Sequence, residues 1–208
     1  QKADTTFNQD IDFSNLENLQ NIEIFGNFNG NINLLNLPNL EDLKLGHFFN
    51  KRLTDLPSSL KTLVLGNNFN KKIDFSKMTK LENLVLGESY NHDILLQNLE
   101  DTEYFNVNIY ILSAFNEKLE IFNNKNNKFN IYFENENSNP EILITDLREI
   151  EIYIKEDYTK TKEFNENKIK NIFIIEKYNR KRTDPKEISY IMKNAFGEDI
   201  EKRYLFLT

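Results

Sequence analysis

The chain has no cysteine and no tryptophan, and only two histidines, four prolines and six glycines in 208 residues. Without cysteine there are no disulfides, no thiolate catalysis and no cysteine-ligated metal. Positive charge is also short: the net charge is -7 and the pI about 5.1. Phosphate recognition needs a basic surface, so nucleic acid is not expected as a partner. One basic cluster, KYNRKR at 177–182, reads as a solvated turn. No apolar run approaches the roughly 18 residues of a membrane span. No signal peptide is visible, and the sequence begins at Gln1. No Asn-x-Ser/Thr sequon occurs, which points away from a glycosylating secretory route and toward the cell interior.

Catalytic patterns are missing as well. There is no phosphate loop, no His-Glu-x-x-His and no Gly-x-Ser-x-Gly. His47 and His92 fall in turns beside strand-like segments, where lone surface histidines are the ordinary reading. The acids Glu149, Glu151, Glu156 and Asp157 are scattered, and nothing in their spacing pairs them for acid–base work. No catalytic residue, metal, cofactor or small-molecule substrate is expected.

What the chain does have is asparagine, 33 residues of it, and a recurring aromatic–Asn pair. The pair stands at Phe7-Asn8, Phe28-Asn29, Phe49-Asn50, Phe69-Asn70 and Tyr90-Asn91. The spacing is 20–21 residues, a period that marks stacked repeats, within the leucine-rich-repeat range. Each repeat holds a short alternating segment: Ile22/Ile24, Leu43/Leu45, Leu63/Leu65, Leu84/Leu86. Alternation sends these side chains to one face of a strand. One strand cannot bury that face alone, but successive coils can pair their strands as a parallel sheet with the leucines inside. Gly46, Gly66 and Gly87 follow the strands and suit a tight exit.

Further columns fill the coil. Phe28, Phe49, Phe69 and Tyr90 should stack inside it. Asn29, Asn50, Asn70 and Asn91 should form a ladder satisfying backbone groups at the turn. Ile11, Ile32, Leu53, Ile73 and Ile94 line the return segment. Leu16, Leu37, Leu56, Met78 and Leu99 precede the next strand.

The stretch LPSSLKTLVLGNNFN, with L-P-x-S-L, L-x-L-G and Phe-Asn in register, resembles the FNIP repeat. This leucine-rich-repeat variant occurs in slime moulds and giant viruses. The resemblance covers about 7–110. The proline of Phe-Asn-Ile-Pro is replaced here, by Gln9-Asp10, Gly30-Asn31 or Lys71-Lys72 after the pair, and only Pro38 and Pro57 keep the later proline. Members of the family often carry an F-box ahead of the repeats, which implies a ubiquitin-ligase substrate receptor; no F-box occurs in these 208 residues.

The expected fold is therefore an α/β or mainly β solenoid, right-handed and leucine-rich-repeat-like, with a parallel sheet on its concave face. Residues 1–110 are its regular repeats, 111–182 degenerate coils continuing it, and 183–208 a cap. KLEIFNNKNNKFN (118–130) echoes strand and pair, and LREIEIYI (147–154) and IKNIFII (169–175) read as further strands. Asp184 as N-cap, Pro185 at the first position and Gly197 beyond the last turn predict a capping helix, with Ile188, Ile191, Met192 and Ala195 on one face.

Concave sheets of such solenoids bind partners. The central outward row is Glu23, Lys44, Val64, Val85 and Asn106, flanked by Asn21, Asp42, Thr62 and Asn83 on one side and Phe25, His47, Asn67 and Glu88 on the other. Val64 and Val85, apolar where solvent is expected, suggest contact with a protein. The expected function is a non-enzymatic protein-binding scaffold. The alternatives are an enzyme with its site in 110–180, or an extracellular repeat protein.

Overall fold

The structure, a computed structural model, describes residues 7–97, 99, 106–122, 128–135, 138, 140–145, 149–154 and 172–174. Within them the chain is a parallel-strand β-solenoid with no helix. Its strands are β1 (Ile11–Asp12), β2 (Asn21–Ile24), β3 (Ile32–Asn33), β4 (Asp42–Leu45), β5 (Thr62–Leu65), β6 (Asn83–Leu86), β7 (Ile94–Gln97), β8 (Asn106–Ile111), β9 (Lys118–Phe122), β10 (Lys128–Phe133), β11 (Glu141–Thr145), β12 (Glu149–Ile154) and β13 (Ile172–Ile174). The main sheet has eight strands in the order β13-β12-β10-β8-β6-β5-β4-β2. Two smaller sheets, β1-β3 and β11-β9-β7, run along the return segments. The capping helix expected over 184–195, and the whole of 183–208, lie outside the described residues.

Register follows the repeat. Ile22, Leu43, Leu63 and Leu84 pair across β2, β4, β5 and β6, and Ile109 and Ile131 extend the row. These side chains, with Leu45, Leu65, Leu86, Ile111 and Phe133, belong to one buried interior cluster. A parallel sheet buried on its inner side wants such an aliphatic run. The step from Leu84 to Ile109 is 25 residues, longer than the regular period.

The aromatic column is real and longer than the repeat suggests. Phe28, Phe49, Phe69 and Tyr90 stack at 6.1–6.3 Å with rings within 6° of parallel. Beside them each Asn side chain accepts a hydrogen bond from the backbone N–H of the next coil's Asn. Asn29 Oδ1 accepts from Asn50 N at 2.8 Å, Asn50 Oδ1 from Asn70 N at 3.0 Å, and Asn70 Oδ1 from Asn91 N at 3.2 Å. In the next coil the register of Ile94 with Leu119 sets Phe115 opposite Tyr90, and Phe115 is fully buried. Its stacking partner is Phe133, at 6.0 Å. One coil further on, Ser138 takes the aromatic position: its Oγ accepts from Phe115 N and donates to Ser113 O.

Five sequence expectations need correction. KLEIF in 118–130 is not a main-sheet strand: it forms β9 in the return sheet, and Phe122 is exposed. The pair that follows Tyr90-Asn91 is Phe115-Asn116. Leu16 is exposed, whereas Leu37, Leu56 and Met78 at the same position of later coils are buried. Val85 pairs with Tyr110, so Tyr110 and not Asn106 continues the central row, a consequence of the 25-residue coil. Lastly, Gly46, Gly66 and Gly87 are not needed for unusual backbone angles, since among the described glycines only Gly26 has positive φ. They are needed for space. A Cβ on Gly66 would collide with the Gly46 carbonyl oxygen, and one on Gly87 with that of Gly66.

The return side is interrupted at the third coil. From Ile32 to the left-handed Asn36 is four residues, but from Leu53 to the left-handed Asp55 only two. The buried position held by Leu34 and Phe75 in the neighbouring coils has no counterpart there. No strand forms at Leu53 or Ile73, and an open groove of about 710 Å³ runs past Arg52, Asp55, Lys72, Asp74, Asp93 and Leu95.

Candidate protein-binding surface

Alternation in the main strands sends every second side chain away from the interior cluster. By register the central outward row is Glu23, Lys44, Val64, Val85, Tyr110 and Tyr132. At its N-terminal end the row is polar and wet: Lys44 Nζ donates to Glu23 Oε1 at 2.6 Å, with the two side chains 16% and 40% exposed. Further along it is aromatic. The Tyr110 and Tyr132 rings lie 4.6 Å apart and within 5° of parallel.

The preceding row is an amide ladder. Asn108 Nδ2 donates to Asn83 Oδ1 at 3.1 Å and Asn130 Nδ2 to Asn108 Oδ1 at 2.9 Å. Amides stacked at strand spacing satisfy one another in this way without help from water.

Beyond the strands the expected row was Phe25, His47, Asn67 and Glu88. Three of these align: Asn68 N bonds His47 O and Ser89 N bonds Asn67 O, which sets His47, Asn67 and Glu88 in line. Phe25 does not join them. Gly46 N bonds Ile24 O, so Phe25 stands at the head of the glycine column instead. Phe48, which sequence reasoning passed over, is 45% exposed, with its ring edge-to-face against His47 at 4.8 Å. A doubled aromatic, Phe48-Phe49, was the available signal: one ring fills the column and the other must point elsewhere. His47 Nδ1 and Asn67 Oδ1 are buried polar atoms without a hydrogen-bond partner among the described residues.

Exposure divides the expected site. Glu23 and Glu88 are exposed, and Phe25, Lys44 and His47 half-buried. Val64 is 0% exposed, Val85 2%, and Asn67 is buried too. The valines point outward as alternation requires, and neither belongs to the interior cluster, yet they are shielded. They are therefore not a solvent-facing apolar patch.

Among the described residues no group of three or more His, Asp or Glu could hold a metal ion, and no helix is long and apolar enough to cross a membrane. The groove on the return side is lined mainly by 52–56 and 72–77, and Glu120 is its one lining residue from the 110–180 region where an enzyme site was considered.

A parallel β-solenoid with an aromatic column, an asparagine ladder and leucine-filled strands defines a repeat protein of the leucine-rich type. Residues 49–76, from the Phe49-Asn50 pair through β5 to Ser76, match the family model of the FNIP repeat. No curated protein and no solved structure matches the chain.

Proposed function

We propose that this protein is a non-catalytic scaffold that binds a partner protein at the N-terminal part of its strand-lined face. The surface is built from Glu23, Phe25, Lys44, His47 and Phe48, with Glu88 on its flank. The observation that carries this reading is Phe48, an exposed aromatic set edge-to-face on His47, beside two buried polar atoms that lack partners. Interface anchors are enriched in aromatics, and a buried polar atom left unbonded costs about 1–3 kcal/mol until something bonds it. A partner that covers Phe48 and bonds His47 Nδ1 or Asn67 Oδ1 recovers both terms.

The test is affinity capture from lysate of the native host. Wild type is compared with Phe25→Asp/Phe48→Asp and with a charge reversal away from the strand face, Lys77→Glu/Lys80→Glu. Circular dichroism reports folding of each. The expected result is loss of the captured partner with the phenylalanine variant alone. Equal recovery with both variants overturns the assignment.

A further inference from the structure

We propose that Asn29-Gly30 is a self-modification site, where the asparagine loses ammonia to water through a cyclic imide, and that the coil from Phe7 to Asn27 is the clasp that keeps it shut. The inference stands apart from any partner bound at Phe48. Among 33 asparagines, Asn29 is the single one followed by glycine. The other rungs of the ladder are followed by Gln9, Lys51, Lys71 and His92, whose side chains hinder the backbone nitrogen beside them. Glycine has no side chain to hinder ring closure and leaves the backbone free to turn.

Two packing demands put the pair there. The ladder needs the asparagine, because Asn29 Oδ1 accepts from Asn50 N at 2.8 Å. The next position needs glycine, because a Cβ on residue 30 would stand 2.6 Å from the Gln9 carbonyl oxygen and 2.9 Å from the Phe28 ring. The φ of Gly30 is not in the left-handed region, so space and not conformation selects it.

The same packing holds the pair still. Asn29 N donates to Asn8 Oδ1, and Asn31 N donates to Asp10 Oδ1 at 2.8 Å. Asn31 Nδ2 also donates to the Asp10 carboxylate, and Ile11 N donates to Asn31 O at 2.9 Å. The backbone is therefore fastened on both sides of Gly30, and the Asn29 carboxamide is tied to the coil that follows. Ring closure needs that carboxamide turned back onto its own chain and the next peptide unit rotated. The bonds to the preceding coil oppose both movements.

Once that coil opens, the chemistry needs water alone. Gly30 N gives up its proton and attacks Asn29 Cγ. The N–Cγ bond forms, the Cγ–Nδ2 bond breaks, and the amide nitrogen leaves as ammonia with that proton. One water then opens the imide. Cleavage of the new N–Cγ bond yields aspartate, which still offers Asn50 N an oxygen. Cleavage of the original peptide C–N bond yields isoaspartate, whose chain runs through Cβ and Cγ. That detour adds one carbon to the backbone, so Asn29 N and Asn31 N no longer meet Asn8 and Asp10 together. A transient opening of the coil becomes a permanent one.

Peptide mapping by mass spectrometry reads the conversion at Asn29 in the full chain, held at mildly alkaline pH with and without guanidinium chloride. The folded protein should convert at least about tenfold more slowly than the unfolded one. Asn8→Ala/Asp10→Ala should raise the folded rate at least about fivefold and leave the unfolded rate unchanged. Asn70→Ala weakens the stack away from this coil and should leave the folded rate within about twofold of wild type. A second arm uses wild type alone: hydrogen exchange at the Asn29 and Asn31 N–H groups should be slowed by the same factor as the conversion. Equal rates in the folded and unfolded chain overturn the proposal. So does an acceleration by Asn70→Ala equal to that of the double variant, which would assign the reaction to global unfolding. If circular dichroism shows the double variant unfolded, the exchange arm decides: protection exceeding the slowing of conversion by more than about tenfold overturns the clasp.

Discussion

Tyr90 occupies the aromatic column where the three preceding coils have phenylalanine, and its hydroxyl is buried without a partner among the described residues. Burial, and secondarily the charge of Asp93, push its ionisation far above the usual tyrosine range, against a small opposing pull from the Ile73 backbone N–H. The group therefore stays neutral, and the weak Ile73 contact falls short of a hydrogen bond of ordinary geometry. Burying a hydroxyl without a hydrogen bond costs about 1–3 kcal/mol. Tyr90→Phe should raise stability by about 1 kcal/mol in urea titration, with an unchanged slope; a loss of stability would show that the hydroxyl has a partner after all. Asn50 offers the opposite case. Only its Oδ1 is used across the coil, as acceptor for Asn70 N. Asn50→Ala strands that N–H and should cost about 1–2 kcal/mol. Asn50→Asp keeps the acceptor and should cost clearly less above pH 6, so the ratio of the two losses measures the ladder bond itself. The Phe and Asn columns were open to sequence reading because a stacked fold repeats each role at a fixed interval. The shielding of Val64 was not, because alternation states which way a side chain points and says nothing of what lies there.

At the level of the strand and its turn, the glycine column shows how a right prediction can rest on the wrong cause. Gly46, Gly66 and Gly87 were expected for their backbone freedom, but their φ angles are ordinary. Successive coils approach so closely at the strand exit that a methyl group on Gly66 would meet the backbone of Gly46 and His47. Gly66→Ala should therefore destabilise by about 1–3 kcal/mol, the range for overpacking a tight site. Thermal unfolding followed by circular dichroism would measure this, and a rise in Tm would contradict the close approach. Coil length was the less legible property. Phe115-Asn116 was overlooked because the coil before it is 25 residues long, and Phe122-Asn123 follows the more strand-like segment KLEIF. The shortened third coil is visible in the sequence only after Asn15, Asn36 and Asp55 are known to share a left-handed corner, with φ of 64°, 58° and 57°. Asn and Asp tolerate that region better than other non-glycine residues, so the column carries a chemical signature once aligned.

Across the whole molecule, each coil touches only its neighbours, and stability is close to a sum of coil and interface terms. Small, repeated contributions then matter together. Asp12 and Asp74 hold the corner through Ser14 and Ser76, whose hydroxyl and backbone N–H groups lower the carboxyl pKa; Asp10 is lowered by the backbone and then the side chain of Asn31. All three are depressed from an ordinary 3.8, so their contribution is present above that pH and is lost as pH falls through the lower folded values. The carboxylates are exposed and each effect is small. Stability measured from pH 5 down to pH 2 should fall, and replacing all three by Asn should flatten that fall. An unchanged acid limb would mean the corner bonds add nothing to folding.

The Asn ladder has a direction. Every side-chain oxygen accepts from the coil that follows it, from Asn8 through Asn70. A coil joining at the far end finds its acceptor already in place, while one joining at the near end must bring its own. Translation delivers the chain in that same order, so each coil leaving the ribosome meets a finished template. The stack is thus a one-way polymer, permissive at its growing end. New coils can be added there by duplication and then drift in sequence, whereas a coil placed ahead of the series must keep its asparagine.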